Sequence, residues 1–163
     1  MGFGKAFGFS LLAYVGLNFL FIIISYTVSG DLNTIFSSIT SDPLILLLIL
    51  FGPIVYFPGE VFQLIVMQIE FGFTADLLIL YIGYIISPFV ASLVAGRMGE
   101  NKGGSFGGWF LTSIASAVAM AVFGFISVPS ASTTTLILVL INGIVNGIFY
   151  GCFALLFTKT EYY

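Results

Sequence analysis

Long apolar runs alternate with short polar breaks along this chain, at a spacing that suits a lipid bilayer. Four runs, at 6–28, 77–96, 106–128 and 136–157, are almost free of charge. Each is about 20 residues long, the length an α-helix needs to cross a hydrocarbon core of ~30 Å. The first follows Lys5 and exceeds the apolar part of a secretory signal, so it reads as a transmembrane helix. The stretch 30–42 is rich in Asp, Asn, Ser and Thr and reads as a loop with, at most, a short turn of helix around Ile35. A glycine-rich polar turn follows at 97–104, and an uncharged Ser/Thr turn at 129–135. Trp109, near the start of its run, reads as an interfacial anchor.

The segment 43–75 fits neither pattern. Asp42-Pro43 is a helix-start signal, since the aspartate can cap free amides and proline suits a first helical position. The apolar run that follows is interrupted by Gly52-Pro53 and again by Pro58-Gly59. Proline removes a donor from the helix ladder, so the run divides into pieces too short to span alone. In the second piece Glu60, Gln63, Met67 and Glu70 recur on one helical face. The expectation is a broken, re-entrant or surface-lying helix pair with its tip near Pro58-Gly59. A single kinked fifth span is the alternative.

Charge distribution favours the first version. The four cations are Lys5, Arg97, Lys102 and Lys159, and no charge occurs over 103–158. With four spans, all four cations share one side, as the positive-inside rule prefers; with five, Lys5 faces the other three. Both termini are then expected in the cytoplasm, and Asp31, Asp42 and Asp76 outside. A mean hydropathy of +1.18 agrees with a membrane chain. The expected fold is an all-α integral membrane protein of four transmembrane helices plus the broken pair, one polytopic domain over 1–163. The absence of organelle signals points to a prokaryotic cell membrane.

Composition also excludes chemistry. There is no histidine, and the single cysteine, Cys152, lies in an apolar run and reads as a small packing residue. Haem, copper and most zinc sites lose their usual ligand, and serine nucleophiles their usual base. No metal and no cofactor is expected, and the protein is expected not to be an enzyme. Four cations make no basic patch, so nucleic acid is not an expected partner. The glycines at 97–104 lack the order of a phosphate-binding loop.

Two sets of residues remain. Small side chains recur every four residues at Gly83, Ser87, Ala91 and Ala95 and at Gly143, Gly147 and Gly151. Such stripes let helices approach closely in lipid, where dispersion must replace the hydrophobic effect. They suit either a self-contained bundle or a subunit packed in a homo-oligomer or larger membrane complex. The second set is polar: Glu60, Gln63 and Glu70 in the broken segment, with Asn142 and Asn146 in the last span. A carboxylate at membrane depth costs ~2.5–3.5 kcal/mol on insertion scales and marks function by default. The first expectation for function is an accessory or scaffold subunit, or a homo-oligomer, acting by helix packing. The alternative is a small channel or transporter whose path runs along these five residues.

Overall fold

The computed structural model describes residues 2–128 and 132–159. Among them there are seven α-helices and no strand: α1 (Gly2–Ser29), α2 (Leu32–Ser41), α3 (Ile45–Phe51), α4 (Pro58–Phe71), α5 (Ala75–Met98), α6 (Lys102–Ser127) and α7 (Thr133–Leu156). The four helices α1, α5, α6 and α7 are long and apolar enough to cross a membrane. They are the four spans expected from hydropathy, with every end within four residues of the expected one. The fold is an all-α membrane bundle with a bent helix pair inserted between the first and second spans.

The polar turns cap the spans. Asn101 Oδ1 accepts the Gly104 amide at 2.7 Å, and Ser132 Oγ accepts that of Thr135 at 3.1 Å. The first cap explains why α6 starts at Lys102 instead of 106: the glycines at 103, 104, 107 and 108 form its opening turns. Ser105 Oγ donates back to the carbonyls of Gly96 and Gly99, closing the α5–α6 hairpin.

Three contacts fix how α1 and α5 run. The Gly2 amide donates to Glu100 at one end, Gly83 meets Phe21 midway, and Ser25 Oγ donates to the Asp76 carbonyl at the other end. The two helices are therefore antiparallel, and residues 30 and 74 leave the bundle at the same end. The intervening segment goes in and comes back without crossing, as the charge argument favoured. Lys5, Arg97 and Lys102 gather at the opposite end. Lys159 joins them, because Phe157 lies beside Gly96. Asp31, Asp42, Glu70 and Asp76 belong to the other end, near the exits of α1 and α4 and the start of α5.

The small residues serve the bundle itself. Gly83, Ser87, Ala91 and Ala95 are all buried along α5. Gly143, Gly147 and Gly151 meet Ala117, Phe110 and Phe106 of α6. A side chain at position 143 would collide with the Ala117 Cβ, so glycine here is a condition of helix contact. Ser113 Oγ donates to the Gly143 carbonyl at 2.6 Å across the same seam. At the centre, Trp109 stands edge-on between Tyr14 and Tyr150, each ring 6.0 Å away.

Several expectations are corrected. Residues 32–41 are a helix, not a loop: Ile35 is buried against Ile22 and Ile49, and the hydroxyls of Ser37, Ser38, Thr40 and Ser41 fold back onto carbonyls of their own helix. Trp109 is no interfacial anchor. It lies two turns inside α6, fully buried, and its Nε1 donates to the Asn146 carbonyl. Cys152 is exposed on the outside of α7 instead of filling a gap. The bend, by contrast, falls at Tyr56 and Phe57, beside Pro58-Gly59 as expected. The expected features at 129–131 and 161–163 lie outside the described residues.

Candidate functional site

At the broken segment the backbone leaves regular helix inside the bundle. Residues Ile45–Phe51 form α3, and Gly52–Val55 tighten into a 3-10 turn. The chain then bends by 99° into α4. Pro53 and Pro58 are the local cause. Neither has an N–H, so the Pro58 donor that a continuous helix would direct at the Ile54 carbonyl does not exist. Unpaired carbonyls in a low-dielectric interior are costly, so partners must come from elsewhere.

Three asparagines provide them. Asn18 of α1 donates its Nδ2 to the Leu50 carbonyl at 2.7 Å. Asn142 of α7 donates to Val55 at 2.6 Å. Asn146, one turn on, is shared between Ile54 and Tyr56 at 3.0 Å each. These residues lie near mid-span: Asn142 and Asn146 are ~14 and ~20 Å along α7 from its start, by the helical rise. The re-entrant tip therefore reaches the middle of the bundle and is latched there by side-chain amides. The Oδ1 atoms of Asn18 and Asn146 are buried without a hydrogen-bond partner among the described residues.

Glu60, Gln63 and Asn142 share one cleft. Its volume is about 330 Å³, and Tyr56, Val55 and Met67 complete most of its lining. Glu60 also has a local duty, since its Oε2 accepts the Phe57 amide at 2.8 Å and caps α4. This leaves one carboxylate oxygen free of that bond. Glu70 lies further along α4, outside the cleft lining, and Asn146 is buried behind the break. The five expected path residues thus divide into three at the cleft, one latch behind it and one at the exposed end of α4.

Tyr56 has a second neighbourhood. Its ring stacks on Tyr84 at 5.4 Å, and Tyr81 stands edge-on to Tyr84 at 6.1 Å. On that side a separate cavity of about 420 Å³ lies between α1, α2, α3 and α5, lined by Tyr26, Tyr56 and Tyr84 among isoleucines and leucines. Tyr26 and Leu80 also line a smaller cavity of about 240 Å³ with Asp31 and Asp76. Sequence reading missed both the tyrosine cluster and Asn18. Four tyrosines spread over 26–84 show no periodic signal. Asn18 did carry one: it is the lone amide in the middle of an apolar span.

Among the described residues no group of three or more His, Cys, Asp or Glu could hold a metal ion. At the cationic end Glu100 receives the Gly2 amide at 3.0 Å and faces Lys5 at 3.6 Å. The charge of the chain's amino terminus, foremost, holds its carboxyl below the ordinary range, with help from the Gly2 amide and Lys5. No protein-family model, curated protein or solved structure matches this chain.

Proposed function

We propose that this is a small multi-pass transport protein that admits a cation to the broken segment from the acidic end of the bundle. One observation carries the reading: Glu60, Gln63 and Asn142, from two different helices, meet on a single cleft beside a mid-span break in the backbone. A half-helix break at the bilayer midplane is a recurrent way for carriers to present polar groups to an ion. The charge layout supports it, since carboxylates flank the approach and the cations stand at the far end. The positive-inside rule then puts the cationic end and both termini in the cytoplasm, with the cleft facing outward, in a prokaryotic cell membrane.

Below the break, toward the cationic end, Tyr14, Trp109, Ala91, Ala95 and Ala154 are packed with no exposure. That plug suits a carrier that opens to one side at a time better than a standing pore. Proteoliposomes should take up a monovalent cation, and Glu60→Gln should abolish the uptake while the chain keeps its melting profile in detergent. Uptake unchanged by Glu60→Gln would refute the reading.

The packing reading, an accessory subunit or homo-oligomer, retains one supporting observation. Gly4, Gly8 and Gly16 face open space along α1, with no heavy atom within 4 Å of where a side chain would begin. They are the small residues that the bundle leaves unused. A particle mass in mild detergent well above 17.6 kDa of protein would favour it.

A further inference from the structure

Three cavities toward the acidic side are strung together by shared walls. Asp31 and Asp76 stand at the outermost one, which shares Tyr26 and Leu80 with the tyrosine cavity. The tyrosine cavity in turn shares Tyr56 with the Glu60 cleft. Carboxylates thus lie at both ends of the series and aromatic faces in the middle, and no Lys or Arg lines any of the three. The middle cavity combines tyrosines with Ile22, Ile35, Ile45 and Ile49.

This combination selects a particular ligand chemistry. A small hydrated metal ion would lose its water to hydrocarbon walls and gain few oxygens. A neutral apolar molecule would gain nothing from the carboxylates. An organic ammonium with alkyl or aryl substituents satisfies both walls: its spread charge sits against ring faces, and its carbon surface against the isoleucines. Deepening the transport reading, and resting on it for the direction of movement, we propose that the tyrosine cavity binds a lipophilic quaternary ammonium, with Tyr26, Tyr56 and Tyr84 as its cage and Glu60 as the next charge along the route. The cation could be free in solution or the choline headgroup of a lipid; the recognising chemistry is the same.

The probe is benzyltrimethylammonium, titrated calorimetrically into the protein in phosphatidylglycerol nanodiscs. Its neutral carbon isostere, neopentylbenzene, serves as the control. Binding of the cation at least about tenfold tighter than the isostere is expected, because only the cation adds charge–quadrupole attraction to the contacts both share. Tyr84→Leu should weaken binding about tenfold and Tyr84→Phe should restore most of it, since phenylalanine keeps the ring face. If Tyr84→Leu does not fold, the same pair of substitutions at Tyr26 replaces it. Between two zwitterionic lipids, weaker apparent binding in phosphatidylcholine than in phosphatidylethanolamine nanodiscs identifies the choline headgroup as a competitor for the cage, and equal binding assigns the site to a free cation. Equal affinity for cation and isostere, or a Leu variant that binds as well as the Phe variant, overturns the proposal. Binding without Glu60-dependent uptake would leave the cage standing and remove the transport reading. Uptake without ammonium binding would do the reverse.

Discussion

The seam between α6 and α7 and the break between α3 and α4 solve opposite problems in one low-dielectric interior. At the seam the helix backbones already pair their own groups, so close contact rests on shape, with Ser113 and Trp109 adding bonds across it: Gly143 admits Ala117, and Gly147 admits Phe110. At the break the backbone has lost donors to Pro53 and Pro58, so shape is not enough. Carbonyls of Leu50, Ile54, Val55 and Tyr56 each need a named donor, and three asparagine side chains provide all of them. The comparison separates what glycine and asparagine do in lipid. Glycine acts by taking up no room; asparagine acts by replacing a hydrogen bond that the chain cannot make for itself.

The largest expected effect is at the seam. Gly143→Leu must push α6 and α7 apart, which places it at the upper end of overpacking costs, ~3 kcal/mol. Thermal melting in mild detergent should fall sharply or the chain should fail to purify. A melting curve like the parent's would mean that the two helices are not in backbone contact. Because Asn142 and Asn146 of the latch lie on the same helix, ammonium binding is expected to fall in step with the melt.

A smaller and more local effect is expected at the break. Asn146→Leu strips the donor from the buried Ile54 carbonyl and the half-buried Tyr56 carbonyl, a loss of ~2 kcal/mol. Asn18→Leu strips it from one and should cost about half as much. The sharper readout is accessibility: with Cys152 replaced by serine, a cysteine at position 52 should react slowly with a membrane-impermeant maleimide and much faster once Asn146 is leucine. Similar rates in both backgrounds would show that the amides do not hold the tip.

The smallest effect is a control at the cationic end, at the exposed pair of Glu100 and Lys5. The Glu100 carboxyl is held below its ordinary value of 4.5 by the amino-terminal charge and Lys5. A depressed carboxyl stabilises the fold above its unfolded pKa, and that contribution is lost as acid passes through the lowered value. Glu100→Gln should therefore melt slightly lower than the parent near neutral pH, and the gap should close at pH well below 4.5. A gap that widens with acid would reverse the sign of this interaction. Solvent exposure keeps the effect small.

The four spans were legible because lipid imposes length and apolarity together, and few other constraints leave so plain a pattern. Reading the break as re-entrant needed only four cations and two prolines. Its latch was half legible: Asn142 and Asn146 stood out as paired amides, whereas the carbonyls they serve lie about 90 residues away in sequence and have no side-chain signature. Helix α2 was obscured by its own hydroxyls. Ser and Thr argue for a loop by propensity, yet Leu32, Ile35, Phe36 and Ile39 carry helical spacing, and burial of Ile35 decided the matter. Trp109 was misplaced because aromatic anchors and aromatic cores look alike near the start of a span. The tyrosine cage had no signal at all, since it exists only after α1, α3 and α5 come together.

The latch also fixes an order of assembly. A chain made from its amino terminus exposes the bend at 52–58 long before it makes α7, and Asn142 and Asn146 follow their carbonyl partners by 87 to 92 positions. Until α7 arrives, Ile54, Val55 and Tyr56 can meet that need only with water, so the hairpin must wait at the wet boundary. Helix α7, which emerges from the ribosome later, is therefore the bolt that draws the loop into the oil, and a product cut short before it would leave the hairpin on the surface.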